Sequence, residues 1–148
     1  MPKYPARIEG RHGDYVLRFR DVPEAITGAA TVEEAQALAV DCLVSAMDFY
    51  FADRKPVPAP SAPQTGDLLV SLPLSIAAKT LLLNRMLETR TTAAELARRL
   101  GTTPQSVNRL VNLHHATKID ALAAAVEALG AELQVGLATV RERRERAG

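Results

Sequence analysis

Residues 54–66, RKPVPAPSAPQTG, hold four prolines in thirteen positions. Proline fixes φ and lacks an amide hydrogen, so such a run is neither a helix interior nor a central strand. It reads as a semi-extended connection. It also divides the 148-residue chain into two stretches of different hydrophobic period.

Ahead of it, residues 4–9 and 15–19 alternate like strands around the turn-prone GRHGD, which predicts a hairpin. Thr31-Val32-Glu33-Glu34 fits a capping box: Thr31 covers the Glu34 amide and the Glu34 side chain returns a bond to Thr31. Ala35, Leu38, Ala39, Cys42, Leu43, Ala46, Met47 and Tyr50 then recur at helical spacing, predicting a helix to about residue 52 with one stripe on the sheet. Residues 67–72, DLLVSL, read as a further strand closed by Pro73.

From residue 74 the period is helical, with helices expected over residues 74–88, 93–100, 104–112 and 118–129 and a stop at Gly130. Leu133, Val135 and Leu137 alternate with polar or small residues, so residues 131–138 read as a strand. The tail RERRERAG has no apolar stripe and reads as a solvated end. The expected class is α+β.

The net charge of +1 hides an uneven distribution: residues 1–60 carry 7 Lys or Arg against 9 Asp or Glu, residues 90–118 carry 5 against 1. The basic segment suits a polyanion; the mildly acidic N-terminal part does not. An aromatic content of 4% without Trp argues against a stacking surface for single-stranded nucleic acid. The N-terminus MPKYPARIEG lacks the apolar core of a signal peptide, and no run approaches the roughly 20 apolar residues of a membrane span. A cytoplasmic protein with no membrane partner is expected.

Catalytic readings fail on spacing. His114 and His115 are adjacent, whereas two metal ligands on one helical face stand three or four apart. The lone Cys42 sits in an apolar helical pattern, where a thiol packs rather than reacts. There is no Gly-rich phosphate loop and no GxSxG. No enzyme, metal site or cofactor is expected.

The stretch LARRLGTTPQSVNRLVN, residues 96–112, carries the sharpest signal. Thr92-Ala93-Ala94-Glu95 is a second capping box; Leu96, Ala97 and Leu100 make an apolar side. Gly101 permits a sharp turn, Thr102 or Thr103 caps the next helix, and Pro104 opens it. Val107, Leu110 and Val111 point inward, leaving Gln105, Ser106, Asn108 and Arg109 outward. This is a helix-turn-helix pattern, whose second helix offers polar side chains to base edges in the major groove.

AELARRLGTTPQSVNRLVN resembles the helix-turn-helix of lambdoid phage repressors and their Xre-type relatives. With YPARIE, YVLRFRDVPEAITGAATVEEA, AMDFYFADRKPVP, VSLPLSIAAKTLLLNRML and LVNLHHATKIDALAAAVEALG, the chain over about residues 1–138 resembles the HicB antitoxins of type II toxin–antitoxin modules. The resemblance implies a partial RNase H-like toxin-binding domain over residues 1–73, including the connection at 54–66. A helix-turn-helix DNA-binding and dimerising domain would follow over residues 74–138, then a charged tail over 139–148. The implied partners are a small mRNA-cleaving toxin of the HicA type and double-stranded operator DNA. An RNase H-like nuclease would need carboxylates converging on its sheet, and the first two strands offer only Glu9, so the implied fold is without the implied chemistry.

Where phage repressors often place a phosphate-contacting Gln this chain has Ala93, so that contact is expected to be absent or moved to Thr92 or Arg98. Pro104 stands where a repressor reads a base, leaving Gln105, Ser106 and Arg109 as readers, with Asn108 and Thr103 beside them. Lys118, Thr117 and His114 would position the DNA backbone. Tyr15, Glu24, Asp48 and Tyr50 are the toxin-contact candidates, on an acidic surface that would compete with RNA phosphates for a basic toxin. Leu133, Val135 and Leu137 would pair two copies into a homodimer or a higher homo-oligomer. The competing reading is a stand-alone helix-turn-helix regulator with an N-terminal ligand-sensing domain, for which the hairpin-plus-helix pattern offers few convergent polar groups.

Overall fold

The computed structural model describes residues 3–140; the RERRERAG tail at residues 141–148 lies outside the described residues. Strands β1 (Tyr4–Arg11) and β2 (Asp14–Phe19) form the expected hairpin, with Arg11 opposite Asp14. Gly10 has φ 127°, and a Cβ there would stand 2.2 Å from the Asp14 carbonyl oxygen, so the hairpin end requires glycine. Strand β3 (Ile26–Ala29), helix α1 (Val32–Ala52) and strand β4 (Leu68–Val70) complete the first part. The sheet order is β3-β2-β1-β4 with every neighbouring pair antiparallel. Four helices follow: α2 (Leu74–Glu88), α3 (Ala93–Leu100), α4 (Pro104–Leu110) and α5 (Ile119–Ala128). The described architecture is therefore α+β, four antiparallel strands and five helices.

Thr31 caps α1 as its spacing implies, accepting the Glu34 amide at 3.1 Å. The Glu34 carboxylate reaches one residue further back than expected, to the Ala30 amide at 2.9 Å. A cap of this kind is worth about 1 kcal/mol. Helix α1 buries Ala35, Ala39, Leu43, Ala46, Met47 and Phe51, in one cluster with Leu17 and Phe19 of β2. Leu38, Cys42 and Tyr50, expected in that stripe, lie only partly buried at its margin. By length and composition α1 could cross a membrane, which the residue count along the sequence does not suggest. Its buried stripe faces the sheet, and its open side carries Glu33, Glu34 and Asp41.

The Pro-rich connection is pinned along its length. Tyr4 donates its hydroxyl to the Pro58 carbonyl at 2.6 Å, and Asn84 of α2 exchanges two bonds with the Val57 backbone at 2.8 and 3.0 Å. At its far end the Asp67 carboxylate, 1% exposed, meets Arg20 and Arg7, each at 2.9 Å, and the Gln64 amide at 2.7 Å. The Arg20 guanidinium, the Gln64 amide and then Arg7 hold the Asp67 carboxyl well below the usual carboxylate range. Val57 and Val70 share one buried cluster with Ala78, Leu82 and Leu83 of α2, so apolar packing runs continuously through both parts.

Four element expectations change. Strand β3 replaces what reads as a short polar passage: its four residues ITGA carry too little alternation, and the β2 ladder holds them extended. Strand β4 is three residues rather than six, because only Leu68, Leu69 and Val70 find partners on β1. Helix α4 ends at Leu110 rather than at residue 112, its axis broken at Val111 (φ −107°, ψ 24°). Residues 131–140 form no strand in the single chain, since a strand needs a neighbouring ladder and no strand of the described residues lies beside them.

Candidate functional site

Helices α3 and α4 meet at Gly101, which takes the left-handed conformation at φ 67°. Thr92 caps α3 by accepting the Glu95 amide at 3.2 Å. Of the two threonines open to cap α4, Thr103 does so, accepting the Ser106 amide at 3.2 Å and donating to the Ser106 hydroxyl at 3.0 Å. Thr103 and Ser106 thus spend much of their hydrogen-bonding capacity on each other. Leu96, Ala97 and Val107 are fully buried, with Leu122, Ala125 and Val126 of α5 in the same cluster. Gln105, Asn108 and Arg109 stand exposed on the far side of α4. The burial of one face and the freedom of the other follow from the same seven-residue helix.

The basic residues of this region divide by role. Arg99 donates to the Ala128 carbonyl at 3.2 Å and Arg85 to the Leu129 carbonyl at 3.0 Å, so both close the C-terminal end of α5. Cations suit that end of a helix dipole. Arg98, Arg109 and Lys118 remain exposed, Lys118 at the N-cap of α5. Arg90 is exposed too, at φ 53°.

Under α4, Lys79 of α2 is 1% exposed and donates to three backbone carbonyls, those of Arg109 (3.3 Å), Asn112 (2.6 Å) and His115. Burial pushes its ammonium below the ordinary lysine range. Nothing in the local sequence signals this bond set, because its acceptors lie thirty or more residues downstream.

Two contacts join α4 and its following loop to the end of α1. His114 Nε2 lies 2.8 Å from Asp48 Oδ2, and Arg54 Nη2 lies 3.4 Å from Asn108 Oδ1. His114 is therefore turned to Asp48, and Asp48 toward the helical half. Thr117 donates to the His115 carbonyl at 3.3 Å.

On the sheet side, Tyr50 donates its hydroxyl to Glu24 at 2.7 Å, bringing two toxin-contact candidates together. Partial burial and then Glu24 push the Tyr50 hydroxyl up to about 12, while the Tyr50 bond holds Glu24 below its usual range. Tyr15 is partly buried in β2 between Gly10 and Ala29, apart from that pair. A groove runs between β3 and α1, lined by Glu24, Ile26, Leu38, Asp41, Cys42 and Phe49. Phe49 is 65% exposed and Ile26 46%. Residues 21–53 contain seven carboxylates and no lysine or arginine. Sequence reading passes over Phe49, which stands three residues from Ala46 and seven from Cys42 at the margin of the expected stripe and so reads as core.

Leu133 packs partly against the core, while Val135 and Leu137 are exposed, Leu137 completely. Among the described residues no group of three or more His, Cys, Asp or Glu could hold a metal ion. The open face of α4, the acidic groove by α1 and an uncovered apolar segment are features of a protein that binds other macromolecules.

A family model described as the HicB-like antitoxin of bacterial toxin–antitoxin system matches residues 3–81, more than half the chain. Antitoxin HicB 2 of Photorhabdus laumondii is 53% identical over 133 residues, covering 90% of this chain and 94% of that protein. Antitoxin HicB of Escherichia coli K12 is 47% identical over 134 residues, covering 90% and 97%. Antitoxin HicB of Pseudomonas fluorescens is 36% identical over 131 residues, covering 88% and 90%. The chain belongs to the HicB-like antitoxin family, whose members are antitoxins and not enzymes.

Proposed function

We propose that the chain neutralises a small mRNA-cleaving toxin of the HicA type through its N-terminal part and represses its own operon by binding operator DNA through α3 and α4. The exposed polar face of α4 carries the DNA half of this reading. Gln105 and Arg109 point away from the side of the helix that buries Val107 and half-buries Leu110, and Arg98 and Lys118 flank it as exposed cations. In a helix-turn-helix such a face enters the major groove. Arg109 would grip a guanine edge and Gln105 an adenine edge, each worth about 1–3 kcal/mol of discrimination. Ser106 would read beside them, and Thr92, Thr103, Asn108 and Lys118 would fix the phosphate backbone around them.

The groove between β3 and α1 supports the toxin half. Exposed Phe49 and Ile26 would supply apolar contact, and Glu24 with its neighbouring carboxylates would attract a basic toxin. The hairpin, β3, α1 and β4 are read as a partial RNase H-like unit over residues 1–73, with residues 74–138 as the DNA-binding unit. Residues 131–138 would pair with the same segment of a second copy, covering Val135 and Leu137 and setting two α4 helices for a two-fold operator.

One strain separates the two halves. Co-express the chain with the toxin of its module, and drive a reporter from its own upstream DNA. Wild type should restore growth and silence the reporter; Arg109→Ala should restore growth and leave the reporter on. Loss of growth rescue by a folded Arg109→Ala chain would place toxin binding on α4 and overturn the assignment.

A further inference from the structure

The Lys79 ammonium has three protons and meets three carbonyls, one on the last turn of α4 and two on the loop just after it. No carboxylate pairs with it among the described residues. A charge taken out of water without a counter-ion is costly unless hydrogen bonds replace its hydration, and here the three carbonyls do so. Helix α4 stops at Leu110 with no glycine after it, and the turn that follows carries two local bonds, the Asn112 amide to the Arg109 carbonyl and the His115 amide to the Asn112 carbonyl, each at 3.2 Å. The lysine is a further, buried donor that gathers all three carbonyls at one ammonium, and its charge lies at the negative end of the α4 dipole.

Helix α4 has only seven residues. Its N-terminus is set by the Thr103 cap and Gly101, both from its own stretch of chain. Its C-terminal turn is tied to a residue of α2 thirty positions upstream. We infer that Lys79 is a positioning residue for DNA recognition, tying the end of α4 and residues 112–115 to α2 so that Arg109 and Gln105 meet base edges at a fixed angle. Residues reading a base need placement within a fraction of an ångström, whereas phosphate contacts tolerate a looser frame. Releasing the clamp should therefore cost specific binding more than non-specific binding. This rests on the reading of α4 as the helix that meets DNA.

The test uses the full chain with Lys79→Met, close in size and without donors, and Lys79→Gln, shorter and keeping two. The probes are a duplex selected by wild type from a random pool and an unselected random duplex, at one salt concentration. Hydrogen exchange of residues 109–118 is measured alongside. Lys79→Met should speed exchange at residues 112–115 and lower affinity for the selected duplex about tenfold or more, with a change of less than about twofold on the random duplex. Lys79→Gln should fall between. If Met at this position prevents folding, the Gln variant decides by the same ratio. Faster exchange with an unchanged ratio of selected to random affinity would make Lys79 a stability residue only and overturn the inference. A wild-type chain that enriches no sequence from the pool overturns the DNA reading itself, and the inference with it.

Discussion

Residues 21–53 and residues 90–118 make an instructive pair: the first holds seven acids and no base, the second five bases and one acid. In the first, the charges sit beside exposed apolar side chains, Phe49 and Ile26. In the second, they surround a polar face, Gln105, Asn108 and Arg109. An apolar surface ringed by carboxylates suits a cationic protein, where burial supplies affinity and charge supplies rate and selectivity. A polar face with cations suits a duplex, where phosphates supply most of the affinity and base edges the choice of sequence. Net charge near zero conceals two regions of opposite charge.

The largest expected effect lies outside both surfaces. Deleting residues 131–148 should turn a dimer into a monomer by light scattering and cost operator affinity about 100-fold or more through lost bivalency. A truncated chain that stays dimeric with full affinity would remove the strand-pairing part of the proposal. Next comes Arg109→Ala, expected to weaken operator binding by about 1–3 kcal/mol in a gel-shift titration while random duplex is little affected. Lys118→Ala should weaken both duplexes alike and flatten the salt dependence by about one unit. Equal losses for Arg109→Ala on operator and random DNA would reduce Arg109 to a phosphate contact and blur the distinction drawn here.

On the acidic side, Phe49→Glu should lower toxin affinity about tenfold or more by surface plasmon resonance, with operator binding unchanged. Wild-type toxin affinity for that variant would move the docking surface off the β3–α1 groove. The smallest effect concerns the connection between the two regions. Asp67 has a folded pKa below its unfolded value, so it contributes stability above the unfolded pKa of about 4 that is lost as pH falls through the folded value. Asp67→Asn should therefore lower Tm at neutral pH, and the gap to wild type should narrow as pH drops below about 4. A gap that stays constant to acid pH would mean that the Arg20 and Arg7 pairs do not act through charge.

What could be read from the chain was local. The Thr31, Thr92 and Thr103 caps, the Gly101 turn and the Val107 side of α4 all rest on residues within four positions of one another, and each stands close to where its spacing puts it. Strand β3 could not be read, because four residues ITGA are extended only through their pairing with β2. Residues 131–138 show the reverse: the alternation is in the sequence, while the single chain provides no ladder for it. The Lys79 clamp and the His114–Asp48 contact join residues 30 to 66 positions apart, a separation at which periodicity carries no signal. Phe49 was hidden by its chemistry, since a phenylalanine near a helical stripe reads as core until its exposure is known.

The basic region is expected to select a DNA sequence instead of merely holding a polyanion. Fluorescence anisotropy with a labelled duplex from directly upstream of the gene, set against a base-shuffled duplex of the same composition at physiological salt, measures that difference. Binding to the upstream duplex should be at least about 1,000-fold tighter, with both affinities falling as salt rises. Equal affinity for the two duplexes, or no binding to either, would contradict it.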